Sequence, residues 1–79
     1  MIPLSDLPIG HSGKIARVAG SSETFQRLRD LGLIEGEEVR MLKRAPLGDP
    51  IEVRIMNYNL CLRLSEAREI KVKRNQSEK

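Results

Sequence analysis

Apolar and polar residues alternate along IEVRIM, residues 51–56, as far as Ile55. Ile51, Val53 and Ile55 fall on one face, Glu52 and Arg54 on the other. That period of two predicts a half-buried strand. YNLCLRL (58–64) alternates in the same way and predicts Tyr58, Leu60, Leu62 and Leu64 inward, with Asn59, Cys61 and Arg63 outward. EEVRMLKRA (37–45) carries Val39, Met41 and Leu42 and reads as a further strand. GKIARVAG (13–20) is bounded by glycines and contains Ile15 and Val18; its imperfect alternation predicts a bulged strand. IKVKR (70–74) ends the pattern with Ile70 and Val72 inward.

The period changes in SSETFQRLRDLGL, residues 21–33. Ser21 or Ser22 suits an N-cap. Phe25 and Leu28, three apart, share a face, while Glu23, Gln26, Arg27 and Asp30 fall mostly elsewhere. Gly32 supplies a left-handed residue beyond the helix end, which predicts a Schellman ending with Leu33 against Leu28. Two other segments are less regular. LSDLPIGHSG (4–13) is broken by Pro8, Gly10 and Gly13, so no regular element is expected there; SEARE (65–69) predicts one helical turn. Together these elements make a mainly β domain: about five antiparallel strands closed into a small barrel, with one helix inserted between the first and second strands. Closure would also hide the sheet's edges.

The connection APLGDP (45–50) raises a separate question. Pro46 suits the first central position of a type I turn, Gly48 the position needing positive φ, and Pro50 the start of a strand. None of this asks for Leu47. A small domain has little core to spare, which favours a leucine folded back as cover. The alternative is an apolar anchor at the loop tip, rimmed by Arg44 and Asp49.

With 79 residues the chain holds one domain, here placed at residues 1–74, with a disordered basic and polar tail at 75–79. One cysteine precludes an internal disulfide, and no apolar run is long enough for a membrane helix. No signal peptide is visible, so a cytoplasmic location is expected. The formal charge is +3, yet residues 1–70 carry ten basic and ten acidic side chains. The excess sits in Lys71, Lys73, Arg74 and Lys79 against Glu78, which reads as a basic end on a neutral body. Phe25 and Tyr58 are the only aromatics, too few for stacking bases, so no nucleic acid partner is expected. Lys43, Arg44 and Arg54 read as a solvated strand face rather than a phosphate site.

Catalytic chemistry has little to work with. There is one histidine, no glycine-rich phosphate loop, and no base beside a serine, so an enzyme is not expected. The metal-ligand candidates are His11, Asp6 and Cys61, fewer than a dedicated site requires. No cofactor is expected beyond a loosely bound divalent metal. What remains is a binding surface, with Leu47, Arg44, Asp49 and Arg27 as the candidate partner-binding residues.

Four blocks, LSDLPIGHSGKI, RLRDLGLIEGEEV, RAPLGDPIEVRI and YNLCLRLSEAREIKV, closely resemble the FeoA family in order and spacing, from Leu4 to Val72. LGLIEGEEV and APLGDPIEVR are the most specific. Cys61 departs from the family, which more usually has a small residue such as alanine there. The resemblance implies an SH3-like barrel with an inserted helix. It implies an accessory of bacterial ferrous-iron uptake, acting on the membrane transporter FeoB, which has a cytosolic GTPase domain. It names no catalytic residues, and the chain is expected to be a monomer or a weak homo-oligomer without membrane insertion. A divalent-metal-responsive SH3-like sensor or regulator is the alternative, because a similar domain ends metal-dependent transcriptional repressors.

Overall fold

The alternating segments form one six-stranded antiparallel sheet in a computed structural model that describes residues 1–75. The strands are β1 (Ile2–Pro3), β2 (Ser12–Val18), β3 (Glu38–Arg44), β4 (Ile51–Ile55), β5 (Tyr58–Leu62) and β6 (Ile70–Arg74). Their order across the sheet is β1-β6-β2-β3-β4-β5. Helix α1 (Ser22–Asp30) lies between β2 and β3, and a single turn, α2 (Leu64–Ala67), lies between β5 and β6.

The buried positions follow the alternation most cleanly in β4, where Ile51, Val53 and Ile55 are all inaccessible to solvent. Val39 and Met41 on β3, Ile15 on β2, and Ile70 and Val72 on β6 join them. The predicted bulge in β2 falls between Ile15 and Arg17 in its pairing with β6. A second register shift, between Met41 and Lys43 in the β3–β4 pairing, accommodates the adjacent apolar pair Met41 and Leu42.

Helix α1 begins where the Ser21 hydroxyl accepts the Thr24 N–H at 3.2 Å. It ends as the sequence predicts. The Leu33 N–H donates to the Leu28 carbonyl at 3.0 Å, the Gly32 N–H donates to the Arg29 carbonyl at 2.9 Å, and Gly32 has φ +98°. This pair of bonds is the Schellman ending. Leu28 and Leu33 are both fully buried.

Four expectations require correction. The sheet does not close: among the described residues β1 and β5 are unpaired edges. Edge protection at β1 comes from its shortness, two residues; at β5 the Tyr58 hydroxyl reaches the Leu31 carbonyl. The strand count is six, because Ile2–Pro3 adds to β6 opposite Val72 and Lys71, and the helix therefore falls between the second and third strands, not the first and second. The proline-broken N-terminal stretch contains a 3₁₀ turn, Leu4–Asp6. Residues three apart eclipse in such a turn, and Leu4 and Leu7 are both fully buried. Finally, YNLCLRL is not one inward stripe. Tyr58 is exposed, and β5 stops at Leu62, so that Leu64 belongs to α2 and is only partly buried.

Asn75, the first residue of the expected tail, is tied to β2. Asn75 donates its N–H to the Ser12 carbonyl at 3.2 Å and its side-chain amide to the Ser12 hydroxyl at 2.9 Å. Residues 76–79 lie outside the described residues. Lys71, Lys73 and Arg74 lie in β6, between β1 and β2, so this part of the basic excess belongs to the sheet.

Candidate partner-binding surface

The β3–β4 connection is the turn its sequence predicts. The Gly48 N–H donates to the Ala45 carbonyl at 2.7 Å, and Gly48 has φ +88°, which favours a glycine. The Ala45 N–H donates to the Pro50 carbonyl at 2.9 Å and closes the loop. Leu47 stands at the tip with 96% of its surface exposed. The favoured covering role is thereby overturned. The Gly48–Ala45 bond holds residue 47 at the turn's tip, and the core cluster already includes Leu4 and Leu7.

The polar rim expected around Leu47 is instead a set of tethers. Arg44 donates from Nη2 to the Leu7 carbonyl at 2.8 Å. Asp49 accepts the Leu64 N–H at 2.9 Å, capping the start of α2. Arg27 reaches from α1 to α2, where its Nε lies 2.6 Å from Glu66 Oε2, while Glu66 Oε1 accepts the Arg63 N–H at 2.9 Å. Burial raises the Glu66 pKa, but the Arg27 hydrogen bond, the Arg63 N–H and both guanidinium charges outweigh it and hold the carboxyl below its ordinary value. Arg27 and Asp49 do line one cleft, together with Cys61, Leu62 and Arg63. The helix and the hairpin therefore border a shared groove.

A second apolar feature escaped the sequence reading. Phe25 and Ile34 are each 39% exposed and, with Val18 and Leu33, line a hollow of about 290 Å³ edged by Arg29 and Glu35. The three-residue spacing placed Phe25 on the same face as Leu28. In fact Leu28 occupies the buried centre of that face, and Phe25, a turn earlier, falls at its margin. The signal was Ile34: an apolar residue directly after the Schellman contact Leu33 has no further role in ending the helix.

The structure does not assemble the metal candidates. Asp6 ends the 3₁₀ turn and is exposed, and Cys61 is exposed on the edge strand β5, in register with Glu52. His11 Nδ1 accepts from Arg74 Nη2 at 2.9 Å. Among the described residues, no three His, Cys, Asp or Glu side chains stand close enough to share an ion. The phosphate alternative on the hairpin is also accounted for. Lys43 pairs with Glu52 at 3.4 Å, Arg44 holds Leu7, and Arg54 donates to Asn59 Oδ1 at 3.0 Å. No helix among the described residues is long and apolar enough to cross a membrane.

Comparison with known proteins is consistent across family, sequence and structure. A Fe(2+) transport protein A/Fe(2+) transporter FeoB fusion protein of Porphyromonas gingivalis is 38% identical over 69 residues, covering 87% of this chain. This chain spans only 8% of that curated relative. The solution structure of an FeoA-like protein from Clostridium acetobutylicum superposes with a TM-score of 0.89 at 32% identity, covering 99% of this chain and 91% of the other. The crystal structure of Stenotrophomonas maltophilia FeoA complexed with zinc, described as an SH3 domain protein, superposes with a TM-score of 0.80 at 35% identity, over 92% and 91% of the two chains. The FeoA domain family matches residues 2–74, and the chain belongs to that family.

Proposed function

We propose that this chain is a cytoplasmic, non-catalytic accessory of ferrous-iron uptake, an SH3-like interaction module that binds and modulates an FeoB-type membrane transporter with a cytosolic GTPase domain. The observation that carries the reading is the Porphyromonas gingivalis relative, in which the two named parts share one polypeptide. Covalent linkage raises the effective concentration of one part at the other, which helps only where the two meet. The contact surface is assigned to Leu47 at the hairpin tip and to the Phe25–Ile34 hollow, because these apolar groups are exposed while the neighbouring Arg44, Asp49 and Arg27 are engaged within the domain. Aromatic and aliphatic side chains in hollows with a polar rim are the usual anchors of protein interfaces.

The test is affinity capture from detergent-solubilised membranes of the native cell. The FeoB-type transporter is expected to be enriched over a control with an unrelated small β-domain. Equal recovery on both baits would sink the reading.

One observation favours a second reading, a divalent-metal-responsive regulator: the Stenotrophomonas maltophilia relative was crystallised with zinc. His11, Asp6 and Cys61 are the residues it would draw on here.

A further inference from the structure

Three cross-strand pairs in the sheet set like charges opposite each other. Lys14 faces Lys73 and Arg17 faces Lys71 across β2 and β6, and Arg40 faces Arg54 across β3 and β4. Directly opposed like charges destabilise an antiparallel pair. A chain with as many acidic as basic residues before position 71 has the means to avoid this arrangement. The ion pairs of the described residues, Arg27–Glu66 and Lys43–Glu52, use none of Lys14, Arg17, Lys71 or Lys73. The acidic residue in register with this group is Glu38, opposite Lys14. Lys14, Lys73 and Arg74 also line a shallow open hollow beside Asn75.

We infer that the outward face of β2 and β6 is a docking surface for an anionic lipid bilayer. Charge complementarity carries the inference: Lys14, Arg17, Lys71 and Lys73 present four cations on two adjacent strands, and the hollow between Lys14, Lys73 and Arg74 suits a headgroup phosphate. A protein partner is disfavoured because lysine is depleted in protein interfaces, whose anchors are mostly aromatic residues and arginine. The exposed aromatics Phe25 and Tyr58 lie on α1 and β5, not on this face. Single-stranded and sequence-specific nucleic acid binding are disfavoured because single strands need stacking partners and duplex readout needs an element that enters a groove. A charged membrane surface needs only clustered basic side chains within a Debye length, about 8 Å at physiological ionic strength. The contact is adsorption to headgroups, without insertion, and it leaves Leu47 and the Phe25–Ile34 hollow to a protein partner.

Co-sedimentation with vesicles tests this directly, using phosphatidylcholine alone and phosphatidylcholine with equimolar phosphatidylglycerol. The protein should pellet with the anionic vesicles at low ionic strength, remain in solution with the neutral ones, and be released by added salt. Lys71→Gln/Lys73→Gln should weaken partitioning about tenfold or more. Its melting temperature should match or exceed that of the parent, since a repulsion is removed. Three outcomes overturn the inference: no pelleting with anionic vesicles, undiminished pelleting of the double variant, or release by duplex DNA at a phosphate concentration equal to that of the lipid. Transporter capture in detergent contains no bilayer, so the proposed function and this inference can fail separately.

Discussion

The hydroxyl of Tyr58 donates to the backbone carbonyl of Leu31, a residue 27 positions earlier in the chain. The bond joins the start of β5 to the end of α1, where the last carbonyls of a helix lack intrahelical partners. It also fixes what residue 32 can be. A Cβ at Gly32 would lie 2.6 Å from the Tyr58 oxygen, and φ there is +98°. Two penalties, steric and conformational, therefore fall on any substitution.

Gly32→Val is expected to destabilise by more than about 1 kcal/mol, the strain of a side chain in left-handed backbone. Tyr58→Phe alone should cost about 1 kcal/mol, one hydrogen bond at a partly solvated site. The double variant should cost less than the sum, because Phe removes the oxygen that the new Cβ meets. Thermal melts read all three, at roughly 4–8 °C per kcal/mol for a domain of this size. Strict additivity would mean that only the backbone conformation matters.

The Arg27–Glu66 pair sets a second expectation. The folded-state pKa of Glu66 is below its ordinary value of 4.5. Its contribution to stability is therefore fully present above the unfolded-state value and is lost as pH falls through the folded one. Arg27 is more than half exposed, so solvent screening keeps the pair at about 1 kcal/mol or less. Glu66→Gln should be less stable than the parent at neutral pH and equal to it well below pH 4.5. Urea denaturation at several pH values checks this. A difference that persists in acid would assign the effect to packing.

The regular elements were legible because periodicity records burial. Ile51, Val53 and Ile55 are buried as their alternation demands, and the Leu28–Gly32–Leu33 sequence spells out the end of α1. Where sequence reasoning failed, a tertiary relationship decided the outcome. Tyr58 sits at an inward register position, yet its hydroxyl draws it to the helix end. Leu4 and Leu7 become core because a 3₁₀ turn sets them on one side. Arg44 and Asp49 looked like a rim because they flank Leu47 in the chain, but their partners, Leu7 and Leu64, are remote in sequence. The basic cluster was hidden for the same reason. Lys14 and Lys73 are opposite each other only once β6 pairs with β2.

Metal binding yields a prediction of its own. His11 Nδ1 is taken by Arg74, and Asp6 and Cys61 do not form part of a three-ligand group among the described residues. Four ligands are usual for structural zinc and three protein ligands for catalytic zinc. Calorimetry on the isolated monomer should therefore show no stoichiometric micromolar binding of ferrous iron or zinc. Such binding, abolished by His11→Ala, would favour the metal-responsive reading over the transporter accessory.

Leu47 gives the sharpest test of the contact surface. It is 96% exposed, so Leu47→Asp removes almost no buried area and should change stability by less than about 0.5 kcal/mol. The turn does not depend on it, since Gly48 and the Ala45 carbonyl supply the closing hydrogen bond. A charge placed where an apolar anchor enters a partner's pocket would be desolvated without a counter-ion, which is costly. Transporter capture by Leu47→Asp should fall at least tenfold, about 1.4 kcal/mol of binding free energy. Phe25→Ala, at the second apolar feature, provides the comparison: loss of capture there alone would move the contact from the hairpin to α1. A Leu47→Asp variant that melts several degrees lower would show that the leucine is covered in solution. One that is both stable and fully competent would remove the hairpin tip from the interface.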